Sequence, residues 1–426
     1  MEHGRRDAGL LWSVSLFVLF YPRAASAYID PGTGSALIYV VTGVVVSLYF
    51  FVRGLGYRVA ERVLRRRYRH QSCELTLHCE SPRYEITFLP VMRALSDRGI
   101  QMTFFTMYPR NHTYEPLPAG VTHHEIAPGM VGYSYLNNLE AKVLVTTTPQ
   151  LDVMTFRRSK RVRHYVMIAH ALGESRYVRP YAYDFFDSVL CCGEVLKKNI
   201  RRMEALRDLP AKRLYDTGIP HYDELLKHAD KNRVGVRTQR PQNPSPLVLI
   251  APSWGPLSIF QAFGTDLVRY VAAKYAVVVR PHPQMKISQK ALYEEVLGFP
   301  GVEVDTSRTP AEAMSRADIL ISDISGIMHE FAFIYEKPVI IVDHKIGLGG
   351  LEGQLLGGES ELKERCRDFI IPVPPSEMEA IPDRIDAALR LHTRERIVNV
   401  REKTVYNYGR AGAAAAEHIV GILACP

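Results

Sequence analysis

Serine, aspartate, glycine and glutamate crowd together near position 320, in the run Ser322-Asp323-Ile324-Ser325-Gly326 followed by Glu330. One apolar run, residues 319–321, leads into this cluster, and another, residues 339–342, follows it. The pattern predicts a strand, a small-residue turn that opens a helix, and a second buried strand. A helix that begins at the end of a parallel strand presents unpaired backbone N–H groups, which suit a phosphate. In that turn Ser322 and Ser325 add hydroxyl donors, Asp323 stands between them, and Gly326 lets a ligand approach the backbone. Glu330, one helical turn on, is placed to accept hydrogen bonds from sugar hydroxyls. The same residue types also make an ordinary helix cap in any α/β domain.

Three more groups stand at predicted strand ends. Arg280-Pro281-His282-Pro283 follows the apolar strand 276–279, and its prolines stiffen the turn. Arginine forks onto phosphate oxygens, and histidine adds a donor that titrates near neutral pH. Ser253 and Trp254 follow the strand 247–251, where the indole suits stacking on a base or simple packing. His170 follows the strand 165–168 and is a candidate general base, although a lone strand-end histidine is more often structural. His123 and His124 lie in an ordinary β segment and receive no chemical role.

Positioning these residues takes two sheets. From about Glu74 short apolar strands alternate with amphipathic helices, the pattern of a parallel sheet covered on both faces. A basic, polar segment with prolines 241, 244 and 246 interrupts the series, and a second strand–helix series follows it. The expected architecture is α/β: two doubly wound, Rossmann-like domains, residues 73–229 and 247–426, joined by a linker at 230–246. The second domain is expected to end in a closing helix, and ligands to bind in the cleft between the domains, at the strands' carboxyl ends. At 426 residues, 47% of them hydrophobic, the chain is long enough for both cores.

The N-terminus reads differently. Residues 10–20 are apolar, follow Arg5 and Arg6, and precede Ala25-Ser26-Ala27, the layout of a signal peptide over residues 1–27. Residues 28–52 then supply a short outer tail and a charge-free stretch, 34–52, long enough to cross about 30 Å of hydrocarbon. The basic segment 53–72 follows, with seven arginines against the single acid Glu61, so it carries +6 of the chain's +8. By the positive-inside rule the chain crosses the cytoplasmic (inner) membrane once, with its catalytic part in the cytoplasm. The arginines then meet an anionic membrane surface, and nucleic acid is not expected as a partner. Retention of both apolar stretches as a hairpin would keep that catalytic placement and move the N-terminus to the same side. Six cysteines show neither a C-x-x-C pair nor metal-ligand spacing, so no metal is expected.

In order and spacing, the residues over about 165–410 resemble the CDP-glycerol glycerophosphotransferase family, the teichoic-acid-type polymerases and primases. The family's W-H-G turn is similar to Ala169-His170-Ala171, its G-x-P-R-N/Y-D to Gly218-Ile-Pro-His-Tyr-Asp223, and its A-P-T-W to Ala251-Pro-Ser-Trp254. Its R-x-H-P resembles Arg280–Pro283, its S-D-Y-S-S-x-x-x-D-F resembles Ser322–Phe331, and its closing F-N segment resembles Tyr406–Arg410. The chain departs from the family at Ala169, Ala171, Ile324 and Gly326, and carries Glu330 where the family has Asp.

The resemblance implies a GT-B fold, with the acceptor in the first domain and the nucleotide in the second. It further implies a membrane-anchored transferase that moves a polyol phosphate, glycerol phosphate first, from a CDP-activated donor to a saccharide or lipid-linked acceptor. On that reading His170 and His282 are catalytic. Arg280, Ser253, Trp254, Ser322, Asp323, Ser325, Gly326 and Glu330 bind nucleotide and phosphate, with no cofactor. A GT-B glycosyltransferase using a nucleotide sugar is the nearest alternative, and a tethered, non-catalytic nucleotide-binding protein is another.

Overall fold

The computed structural model describes residues 39–52, 54–56, 59, 73–111, 114–236, 245–307, 309–323, 325–344 and 347–425. The chain divides into two compact units, Met1–Arg62 and Val63–Pro426. In the first, Tyr39–Gly56 is an 18-residue helix long and apolar enough to cross a membrane. Its valines and aromatic side chains are exposed, as befits a helix that is apolar on every face. It ends four residues later than the sequence pattern suggests. The signal-peptide expectation at 1–27, most of the basic segment 53–72, and linker residues 237–244 lie outside the described residues.

The second unit holds two all-parallel sheets. The first comprises β1 (Cys73–Cys79), β2 (Met102–Thr106), β3 (Val121–Glu125), β4 (Ala141–Thr146), β5 (Val162–Ile168), β6 (Ser188–Cys191) and β7 (Arg213–Asp216). Their order is β3-β2-β1-β4-β5-β6-β7. The second comprises β8 (Leu247–Ile250), β9 (Ala276–Val279), β10 (Glu303–Val304), β11 (Ile319–Ser322), β12 (Val339–Val342) and β13 (Ile370–Val373), in the order β10-β9-β8-β11-β12-β13. The order reverses between β1 and β4 and between β8 and β11, and crevices open at such switch points. Register sets Leu249 of β8 beside Leu320 of β11, so the turns after Ile250 and Ser322 emerge side by side. That places Ser253–Trp254 next to Asp323–Gly326 at the second switch point.

The central strands are continuous apolar runs because helices cover both faces. Two strands escaped the sequence pattern. β7 reads Arg-Leu-Tyr-Asp and is a half-exposed edge, while β13 carries Pro372, which only an edge strand accommodates.

The domain boundaries also differ from expectation. The helix Pro220–Val236 runs into the segment expected as linker. The closing helix Ala411–Ala424 packs on the first sheet rather than the second, with Ala415, Ala416, Ile419 and Ile422 in one core with Leu75, Leu77 and Phe88. Buried Cys79, Cys191, Cys192 and Cys366 are free thiols, and burial pushes Cys192 up to about 11, which makes it a packing group.

Candidate active site

Both domains line one cleft of about 680 Å³. Arg83, Tyr84, His170, Ala171 and His221 face it from the first domain. Trp254, Arg280, His282, Ser325, Gly326 and Glu330 face it from the second. Seven of the sequence candidates are thus gathered in one place. Ser253, Ser322 and Asp323 stand behind it.

Asp323 explains that division. Its carboxylate accepts hydrogen bonds from the Ser253 N–H (2.9 Å), the Ser253 hydroxyl (2.9 Å), the Ile259 N–H (3.1 Å) and the Ser325 N–H (3.1 Å). Burial pushes its pKa up, and these hydrogen bonds oppose the shift. Ser322 is fully buried and donates its hydroxyl to the Ala251 carbonyl at 2.5 Å. The expectation that Ser253, Ser322 and Asp323 touch phosphate is therefore corrected: their polar atoms tie the β8 turn to the β11 turn. Ser325 and Gly326 remain at the surface of the cleft, just before the helix Ile327–Tyr335. Gly326 has φ −56°, and a Cβ there would meet Ala171 Cβ at 3.9 Å. Its value is close approach, not an unusual backbone angle.

Arg280 is also partly corrected. Its guanidinium bonds the Asp305 carboxylate at 2.6 Å, the Ser307 hydroxyl at 3.2 Å and the Ser307 carbonyl at 3.0 Å, leaving Nε–H and one Nη–H for a ligand. Arg83, which the sequence reading missed, is exposed on the opposite wall and reaches Gln284 Oε1 at 3.4 Å. It has no carboxylate partner among the described residues. The signal was available, because Pro82-Arg83 follows β1 as Arg280-Pro281 follows β9.

His282 Nδ1 accepts the Gln284 N–H at 3.1 Å, so the neutral ring carries its proton on Nε2. Burial, then Arg83 and Arg280, push its pKa down to about 4, so it does not titrate near neutral pH as expected. Trp254 is exposed and stacks on His282, with ring centroids 6.0 Å apart and planes 30° apart.

On the first-domain wall His170 lies against Tyr84, ring centroids 4.3 Å apart, with its Nδ1 buried and unpartnered. Burial, then His221 and Arg83, lower its pKa to about 4, well below the unperturbed value expected of it. His221 belongs to the Gly218–Asp223 segment, for which the sequence suggests no chemical role. Its Nε2 lies 3.0 Å from Glu330 Oε1, a contact that joins the two domains. Local structure sets this geometry. Gly218 has φ +90°, and a Cβ there would stand 2.1 Å from the Tyr406 carbonyl, so only glycine makes the turn. Pro220 starts the helix that carries His221. Asp223 caps the closing helix through the N–H groups of Ala411 (3.2 Å) and Gly412 (2.8 Å).

The cleft thus presents two guanidiniums and three imidazoles against one carboxylate, Glu330. His170 and His282 are held neutral and Arg280 is paired with Asp305, so the cleft offers a phosphate N–H donors more than net positive charge. Residues 183–346, which span most of the second-domain wall and His221, match the family described as CDP-Glycerol:Poly(glycerophosphate) glycerophosphotransferase. The matched segment, less than half of the chain, is similar to that family. The fold of the chain is similar to that of the wall teichoic acid polymerase TagF, at 15% identity over 88% of this chain and 98% of that one, TM-score 0.54. A second TagF structure, a variant, gives TM-score 0.55 at the same identity and coverage. A protein described as a UDP-N-acetylglucosamine 2-epimerase from Listeria monocytogenes has a similar fold, at 11% identity over 82% of this chain and 95% of that one, TM-score 0.51. No curated protein matches the sequence. The chain thus has the expected GT-B-like architecture, two parallel-sheet domains, with one helix among the described residues long and apolar enough to cross a membrane.

Proposed function

We propose that the protein is a membrane-anchored transferase that moves glycerol phosphate from CDP-glycerol to an acceptor hydroxyl of a cell-envelope polymer or its lipid-linked precursor, releasing CMP. One observation carries this reading: the second-domain wall of the cleft, together with His221, lies in the segment that matches the glycerophosphotransferase family. Cytosine stacks on Trp254 and the ribose hydroxyls meet Glu330. The pyrophosphate lies between Arg83, the free N–H groups of Arg280, the His282 Nε2–H, Ser325 and the helix N-terminus at Gly326. The acceptor hydroxyl enters beside His170 and attacks the β-phosphorus. Charge grows on phosphate oxygens, so catalysis is mainly positioning and electrostatics. The helix Tyr39–Gly56 anchors the chain, and the arginines of 53–69 hold it to anionic lipid on the cytoplasmic side.

The test is CMP release from CDP-glycerol by the full chain in detergent, with a short glycerol phosphate oligomer as acceptor. CMP and a lengthened oligomer are expected. Release of a nucleoside diphosphate from a nucleotide sugar instead would replace phosphodiester transfer with sugar transfer.

A further inference from the structure

His170 and His221 reach the same cleft from the first domain, but of the two it is His221 that meets a carboxylate across the cleft. Its Nε2 lies 3.0 Å from Glu330 Oε1. Donating Nε2–H to that oxygen fixes the tautomer and makes Nδ1 a bare acceptor. Nδ1 is buried and has no partner, and His221 itself is among the most buried residues of the lining. A base, a carboxylate that orients it, and a free nitrogen for the reacting proton are the three parts of a proton-accepting pair.

We propose that His221 and Glu330 together take the proton of the attacking hydroxyl, while His170 orients that hydroxyl. The proposal rests on the phosphodiester-transfer reading above. As the acceptor oxygen bonds to the β-phosphorus, its proton passes to His221 Nδ1. The bond from the β-phosphorus to the bridging oxygen breaks, and CMP leaves with that electron pair. The imidazolium is held by Glu330 and later gives its proton to water.

His170 is built for the other task. It stacks on Tyr84, and burial, His221 and Arg83 all disfavour its charged form. A proton placed there would face two cationic or basic neighbours and no carboxylate. Glu330 of the helix Ile327–Tyr335 meets His221 directly, His329 precedes Glu330 on that helix, and His170 from the turn after β5 and Arg83 from the turn after β1 line the same cleft. Burial holds His329 neutral, with a pKa down to about 4. On the helix that carries His221, Asp223 is engaged by the closing helix and Glu224 by Arg93 and Lys227. Glu330 is therefore the carboxylate left to offset the imidazolium.

The experiment is the pH dependence of CMP release from CDP-glycerol, with the glycerol phosphate oligomer as acceptor, for the full-length wild type, His221→Gln and Glu330→Gln. His221→Gln is expected to lower kcat at least about 100-fold and abolish the acid limb, with the CDP-glycerol KM within about 3-fold. Glu330→Gln keeps an acceptor for the ring N–H but removes the charge. The imidazolium then forms without its counter-ion, so the pH profile changes and the plateau drops about 10-fold. An unchanged acid limb in both variants overturns the pair, even if kcat falls, because a purely structural latch would do that. Wild type that releases no CMP overturns the transfer reading itself, an outcome distinct from an active wild type with indifferent variants.

Discussion

At the strand ends of the second domain, Ser253, Ser322 and Asp323 bond to one another or to nearby backbone, and Arg280 bonds Asp305 and Ser307. At those of the first domain, His170 and His221 each keep a buried nitrogen without a partner. Both sets are polar residues at the carboxyl ends of parallel strands, so position alone does not distinguish them. Their partners do. Polar groups satisfied within the protein build a rigid turn that offers backbone N–H groups and an indole to a nucleotide. Polar groups left open require something from outside, and buried open groups cost free energy until a substrate completes them. On the proposed function, the second-domain wall is a finished frame for the nucleotide and the first-domain wall a reactive surface for the acceptor.

The sharpest way to break this contrast is to exchange the expected phenotypes. His170→Ala should lower CMP release by about 100-fold or more while CDP binding, followed by calorimetry, stays within about twofold. Retained turnover would remove His170 from the reactive wall. Asp323→Ala should behave in the opposite way, because it orphans the N–H groups of Ser253, Ile259 and Ser325 at once. A loss of about 3 kcal/mol or more in chemical denaturation is expected, with nucleotide binding lost alongside.

Arg280→Ala sits between the two. It breaks the pair with half-buried Asp305 and should cost about 2–3 kcal/mol of stability, and about tenfold in CDP affinity through the loosened turn. Unchanged CDP affinity would free Arg280 of any role in the nucleotide wall. The pair also sets a pH dependence. Burial raises the Asp305 pKa, but the Ser307 hydrogen bonds and Arg280 outweigh it, and the net value lies below the usual one. A folded value below the unfolded one gives stability that is present above the unfolded value of about 3.9 and lost as pH falls below it. Urea midpoints measured across that range should fall toward acid in the wild type, and less steeply in Arg280→Ala.

Trp254→Ala should weaken CDP binding about tenfold, with Trp254→Phe restoring most of it, since the indole is exposed and its proposed partner is a base. The smallest effect belongs to Gly326→Ala. Its φ is helical and its nearest neighbour stands at 3.9 Å, so stability should change by no more than about 0.5 kcal/mol. A several-fold loss of CDP affinity at unchanged stability would locate the pyrophosphate against that backbone.

The two walls were also unequally legible in the sequence. Periodicity exposed the strands that are buried on both faces, and their ends pointed to the cleft at Trp254, Arg280 and His282. It missed β7 and β13 because edge strands need no apolar face. Residue type at a strand end does not reveal whether a hydroxyl or carboxylate turns toward ligand or toward the next turn, and so Ser253, Ser322 and Asp323 were assigned outward. That choice depends on register between β8 and β11, a non-local fact. His221 was obscured for the same reason, since its partner Glu330 lies 109 residues away. The closing helix was assigned to the second domain by chain order, whereas its apolar face fits the groove beside Phe88.

The most direct test of the central claim is calorimetric titration of the detergent-solubilised full chain with CDP-glycerol, CDP and UDP. Saturable binding of the cytidine ligands, at least about tenfold tighter than UDP and lost in Asp323→Ala, is the predicted result. Preference for UDP, or no binding of any of the three, would contradict the assignment of this cleft to a CDP-activated donor.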